Sequence, residues 1–114
     1  MIDWTRIDDL KDELGEDDFE EVFEIFLDEV QESVDSLKAA PTGQDLEAIL
    51  HSVKGNAVTV GFSKLAELAG AGEISAGQGA DVNLRDISTA HTLSKEAYAS
   101  GRPKIQKTNS ASVS

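Results

Sequence analysis

At 114 residues the chain is the length of one ordinary domain and can bury one core. Apolar residues make up 39%, aromatics 5%, and there is no cysteine, which excludes disulfides and Cys-based metal or redox centres. The formal charge of −12 is uneven, with residues 1–50 holding 17 of the 22 acidic residues against Arg6, Lys11 and Lys38; such a surface repels nucleic acid and anionic lipid.

The acidic half fits a protein partner with a basic rim; the alternative is a solvated helix face that aids solubility. No basic segment followed by an apolar one opens the chain, and no apolar run approaches the roughly 20 residues needed to cross a bilayer. The expectation is a soluble, cytoplasmic protein that binds neither nucleic acid nor membrane.

The elements are helical in period. Thr5 is a candidate N-cap for a short helix over about Arg6 to Leu14, with Ile7, Leu10 and Leu14 at helical spacing and Gly15 as terminator. A long helix follows from about Asp17 to Ala39. Its early carboxylates suit the positive end of the helix dipole, and Phe19, Phe23, Phe26, Val30, Val34 and Leu37 form its apolar stripe. Val22, Ile25 and Leu27 exceed that stripe. Pro41-Thr42-Gly43 breaks the chain.

A third helix is expected from about Gln44 to Val60. A fourth runs from about Ser63 into the glycine-interrupted stretch Gly70-Ala71-Gly72, and Gly77 to Asn83 reads as a loop. Leu84, Ile87, His91, Ser94 and Tyr98 mark one face of a last helix. Residues 101–114 read as a flexible polar tail behind a domain of residues 1–100. Helices joined by short loops predict an all-α fold, an antiparallel four-helix bundle with a short additional N-terminal helix.

The segment His51-Ser52-Val53-Lys54-Gly55-Asn56-Ala57 carries the chemistry. At about 100° per residue, Leu46, Ile49, Leu50, Val53, Ala57 and Val60 gather on one side, and His51, Lys54, Gly55 and Val58 on the other. A histidine turned away from the core is not a satisfied core residue. Lys54, one turn on, is suited to neutralise a phosphoryl group on the imidazole; alone, it is equally an ordinary solvated lysine. Gly55 costs about 1 kcal/mol relative to alanine in a helix interior. It points either to clearance for a partner beside the imidazole or to a helix-packing contact. His91 lies on the apolar stripe of the last helix, with no Lys-Gly after it, and reads as a core-edge residue. The acidic run from Asp17 to Glu24 lacks the order of a calcium loop, and the glycines at 70, 72, 77 and 79 do not form a nucleotide loop.

His51-x-x-Lys54-Gly55, followed by Ala57, Gly61 and Leu65-Ala66-Glu67-Leu68, resembles the histidine-containing phosphotransfer (HPt) family over roughly residues 1–100. The resemblance implies a four-helix bundle whose exposed histidine exchanges phosphate with receiver-domain aspartates. It implies His51 as the phosphorylated residue, Lys54 and Gly55 as its helpers, and Glu73 where the family often has a polar residue reaching back from the next helix. Gly70 and Gly72 predict an irregular helix there, which leaves a free surface glutamate as the alternative. A solvated imidazole is largely neutral near pH 7 and needs no base to create its lone pair. The implied protein is a monomeric phosphocarrier with no kinase activity, ATP site or cofactor of its own. Mg²⁺ comes with the receiver, and the partners are response-regulator receivers and hybrid histidine kinases. An HPt-like adaptor that takes no phosphate, or a phosphoacceptor module related to chemotaxis kinases, is the alternative.

Overall fold

The chain's first residues are fixed by a contact distant in sequence. In the computed structural model, which describes residues 1–102, Asp3 N–H donates to Gly61 O at 2.7 Å, and Ile2 and Phe62 form an isolated antiparallel bridge. Held this way, Asp3 has a non-helical backbone, and its Oδ1 accepts from Arg6 N–H at 3.1 Å. Asp3, rather than Thr5, is therefore the N-cap, and α1 spans Trp4–Leu14. Gly15, at φ +82°, ends it and opens α2, Glu16–Asp35, which places Glu16, Asp17 and Asp18 at the positive end of its dipole.

The long second helix is α-helical only as far as Asp35; a 3-10 turn, Ser36–Ala39, carries it on. Ser33 and Ser36 hydroxyls donate back to Val30 O and Glu32 O, which loosens a helix end. Pro41 disfavours a right-handed helical Ala40, and Ala40 adopts φ +53°. Then follow α3, Gly43–Thr59, α4, Ser63–Gly77, and α5, Leu84–Ser100. The α4 helix does not fray at Gly70-Ala71-Gly72 and takes in Gly77. Gly72 is buried, and a β-carbon there would come within 3.0 Å of Val82 Cγ1 and 3.3 Å of Leu50 Cδ1. Close packing of neighbouring elements thus offsets glycine's poor helix propensity.

The described residues are all-helical, and no helix among them is long and apolar enough to cross a membrane. The core collects Phe19, Phe23, Val30, Val34 and Leu37 from the α2 arm. It adds Leu50, Val53, Ala57 and Val60 from α3 and its end, Leu65 and Ala69 from α4, and Ile87 and Ala90 from α5. Each large side chain fully buried there contributes about 1.5–3 kcal/mol. Phe26 is only half-buried at the margin, as are Leu46 and Ile49.

At the tail boundary, Gly101 caps α5. Arg102 donates to Asp8 Oδ2 at 2.8 Å and Trp4 O at 3.1 Å, with its guanidinium over the Trp4 ring. The rest of the expected tail, 103–114, lies outside the described residues.

His91 is more deeply placed than a core-edge residue: it is 3% exposed on the buried face of α5, near Ser94, whose hydroxyl has no hydrogen-bond partner. Burial, and then the Lys95 charge, push its pKa below the ordinary 6.5, against a smaller opposing pull from Asp35. The folded state therefore binds this proton less readily than the unfolded chain. Stability from His91 is complete above the unfolded pKa and is lost as pH falls from about 6.5 towards the depressed folded value. Denaturant midpoints should drop between pH 7.5 and 5.5 in wild type, and by less in His91→Gln. Equal slopes in the two proteins would disprove this account.

Candidate functional site

The α3 helix places Glu47, His51, Lys54, Gly55 and Val58 along one side, because residues three and four apart share a helical face. That side adjoins the buried Leu50, Val53 and Ala57 and lies at the edge of the packed face. After the Gly61-Phe62 turn, α4 comes back antiparallel, and its residues meet this row in reverse order. Glu47 Oε2 lies 3.0 Å from where a β-carbon on Gly77 would sit. His51 Nδ1 is 2.9 Å from Glu73 Oε2. The Lys54 stem crosses Gly70, its Cδ 3.4 Å from the corresponding β-carbon position. A groove of about 460 Å³ runs along this seam, with Glu47, Lys54, Glu73 and Ile74 among its walls.

The His51 side chain is 74% exposed, whereas Glu73 is 24% exposed. The carboxylate is the better-sheltered and better-fixed partner, so the pair orients the ring more than it stabilises the fold; an exposed pair contributes about 0–1 kcal/mol. With Nδ1–H donating to Glu73, the lone pair lies on Nε2, which is the nitrogen turned from the carboxylate.

Of the residues singled out in the sequence, His51, Lys54 and Gly55 are all exposed, and Glu73 is brought to the imidazole. A free surface glutamate is not what the structure contains. The regularity of α4 across Gly70 and Gly72 is what turns Glu73 towards α3. Around Gly55, no heavy atom lies within 4 Å of a β-carbon position, so packing inside this chain gives no reason for a glycine there. His91 stands apart on α5, buried.

Three participants were not picked out in the sequence. Glu47 precedes His51 by one helical turn, and that i, i+4 spacing was the available signal. Asn56 Nδ2 donates to Glu29 O at 3.3 Å and to Ser33 Oγ at 3.4 Å, tying α3 to α2 beside the site. By propensity alone, Gly70 reads as a helix interruption. Its spacing of seven residues from Gly77, two turns on one face, was the signal that both face α3.

Replacing Glu73 with Ala should change the ring tautomer of His51 without unfolding the protein. Nitrogen chemical shifts of the neutral ring should show Nδ1–H predominating in wild type and losing ground to Nε2–H in Glu73→Ala. The same tautomer ratio in both proteins would show that Glu73 does not set it.

Comparison with known proteins gives one positive finding: the family model of the Hpt domain matches residues 21–97. Neither the curated proteins nor the solved structures contain a match to the chain. The matched region runs from the first turns of α2 to the last turn of α5, enclosing the whole α3–α4 seam and both histidines, and the chain belongs to the Hpt domain family.

Proposed function

We propose that the protein is a phosphorelay carrier in which His51 takes a phosphoryl group from aspartate on one receiver domain and returns it to another. Family membership implies histidine phosphotransfer in a phosphorelay. The assignment to His51 is carried by the contrast between the two histidines. His51 is 74% exposed with one nitrogen held by Glu73, and Lys54 follows one turn on. His91 is buried, out of reach of another protein's aspartate.

In this reaction Nε2 attacks the phosphorus of the aspartyl phosphate in line with the acyl P–O bond. The P–N bond forms as the P–O bond breaks, and the aspartate leaves as its carboxylate, so no proton has to move. The Nδ1 proton stays on the ring, which becomes cationic and is balanced by Glu73. Lys54 offsets charge on the phosphoryl oxygens. Donation to the next receiver reverses these steps. Mg²⁺ is expected with the receiver, and this chain needs no ATP site or cofactor for the role.

The same proposal treats α2 to α5 as an antiparallel four-helix bundle with α1 added. It places the carrier, as a monomer, in the cytoplasm with hybrid kinases and response regulators. The docking surface is assigned to the His51 side of α3 and the adjoining α2. Ile25 and Val58 are 54% and 52% exposed, and Val22 is half-buried. They would supply a few apolar anchors within a polar rim, as in small transient interfaces. The open space at Gly55 suits close approach of a partner's backbone. Adding a receiver should shift amide resonances in α2 and α3; perturbations confined to residues 84–98 would refute this surface.

Incubation with a phosphorylated receiver should load one phosphoryl group, stable in base and labile in acid. Protonation of a phosphoramidate nitrogen creates a leaving group, whereas aspartyl phosphates hydrolyse readily in base. His51→Gln should abolish labelling at a stability cost below about 0.5 kcal/mol, and His91→Gln should leave labelling nearly unchanged. Labelling that survives His51→Gln would relocate the site. Tight receiver binding with no phosphate uptake from any donor would identify an adaptor instead.

A further inference from the structure

Lys54 makes no ion pair or side-chain hydrogen bond among the described residues. Its stem passes over α4, where Cδ and Cε lie 3.4 and 3.7 Å from the position a β-carbon on Gly70 would occupy, and the two residues line one groove. Gly70 is in the middle of α4, and its φ is not positive, so its backbone conformation does not require glycine. Glycine in such a place destabilises the helix relative to alanine. The Lys54 stem is what stands over the vacant strip.

We propose that Gly70 is a positioning residue for phosphoryl transfer: it leaves bare the strip of α4 on which the Lys54 stem rests, so that the ammonium is kept beside His51. A free lysine has many rotamers and spreads its charge over a wide arc of solvent. A stem laid over the neighbouring helix has fewer, and the cation then stands ready where charge develops on the transferred group, which is where fixed charges are most effective. The antiparallel register makes this possible. Glu73 meets His51, and the residue one turn earlier on α4 meets the lysine one turn later on α3. Gly70 acts through Lys54 and does not touch the phosphoryl group. The inference rests on the reading of His51 as acceptor and Lys54 as its cation.

The distance sets what substitutions should do. A methyl group at 3.4 Å is in ordinary contact with a flexible stem, so Gly70→Ala should keep Lys54 in place. A leucine would occupy the strip and lift the stem away.

The test is a double-mutant cycle with Lys54→Ala, Gly70→Leu and the pair, beside Gly70→Ala. Each protein is loaded from a phosphorylated receiver and followed for transfer rate and phosphohistidine lifetime. Gly70→Leu should slow transfer about three- to tenfold, to the level of Lys54→Ala. Gly70→Ala should stay within about twofold of wild type. Adding Gly70→Leu to Lys54→Ala should change little, because two residues acting as one unit are not additive. Full rates in Gly70→Leu, or effects that multiply in the double variant, would overturn the proposal while leaving the carrier reading intact. No effect of Lys54→Ala would remove the lysine's role and this inference with it, and a wild type that takes no phosphate would remove the carrier reading as well. Wild type alone gives an independent readout: nuclear Overhauser contacts between Lys54 Cε protons and Gly70 α-protons are expected, and their absence overturns the proposal even if Gly70→Leu fails to fold.

Discussion

Leu50, Val53 and Ala57 of α3 are buried against the layer that holds Leu65, Ala69 and Gly72 of α4, and the site depends on that contact. At Gly72 the approach is close enough that an added β-carbon would crowd both Leu50 and Val82. The packing fixes the register of two antiparallel helices. The register in turn decides that Glu73, rather than a neighbour one residue away, meets His51. A shift of one residue rotates a helix by about 100° and would carry the carboxylate off the seam. The hydrogen bond itself is too weak, at this exposure, to hold the helices in place. Apolar burial does that, and the polar pair reports it.

The other contacts around the seam fix its turn end and one flank. At the turn, Gly61 at φ +77° faces Asp3 O, which would lie 2.8 Å from a β-carbon there. Ser63 donates to Met1 O from both its amide and its hydroxyl. Beside the site, Asn56 bonds the α2 backbone, and Arg6 Nε reaches Thr59 O at 3.3 Å. These bonds bind neighbouring segments to α3, the turn and the start of α4 without touching the imidazole. The exposed His51 is thereby carried on a rigid element, as the proposed in-line exchange with another protein's aspartate would require.

Charge has a different role. The acidic residues of α1 and α2 leave the body strongly negative, while the row on α3 runs from the anion Glu47 through His51 to the cation Lys54. In the proposed carrier, a dianionic phosphoryl group on His51 would therefore sit in an asymmetric field, attracted on the side of Lys54 and repelled on the side of Glu47. Opposite charges of this kind beside a transferred group favour one direction of approach while leaving the fold almost unaffected, since each is worth little in water.

Helix existence, the stripes of the core, the break at Pro41 and the outward face of His51 were legible in the chain because each follows from local spacing and propensity. The His-x-x-Lys-Gly pattern was legible for the same reason: its members lie within five residues on one helix. Local spacing favours Thr5 as the N-cap, whereas a bond to Gly61, far along the chain, makes Asp3 the cap. The depth of His91 is not legible in the stripe of α5, because burial there depends on which elements cover it. Gly70 and Gly72 looked like interruptions when judged by propensity alone. Only the packed helices reveal that Gly72 admits Leu50 and Val82, that Gly70 lies beneath the Lys54 stem, and that Glu73 reaches His51. Local sequence determined which face of α3 presents the histidine; the tertiary register determined what stands opposite it, because side-chain volumes across the seam select one alignment of two helices that each could form in any register.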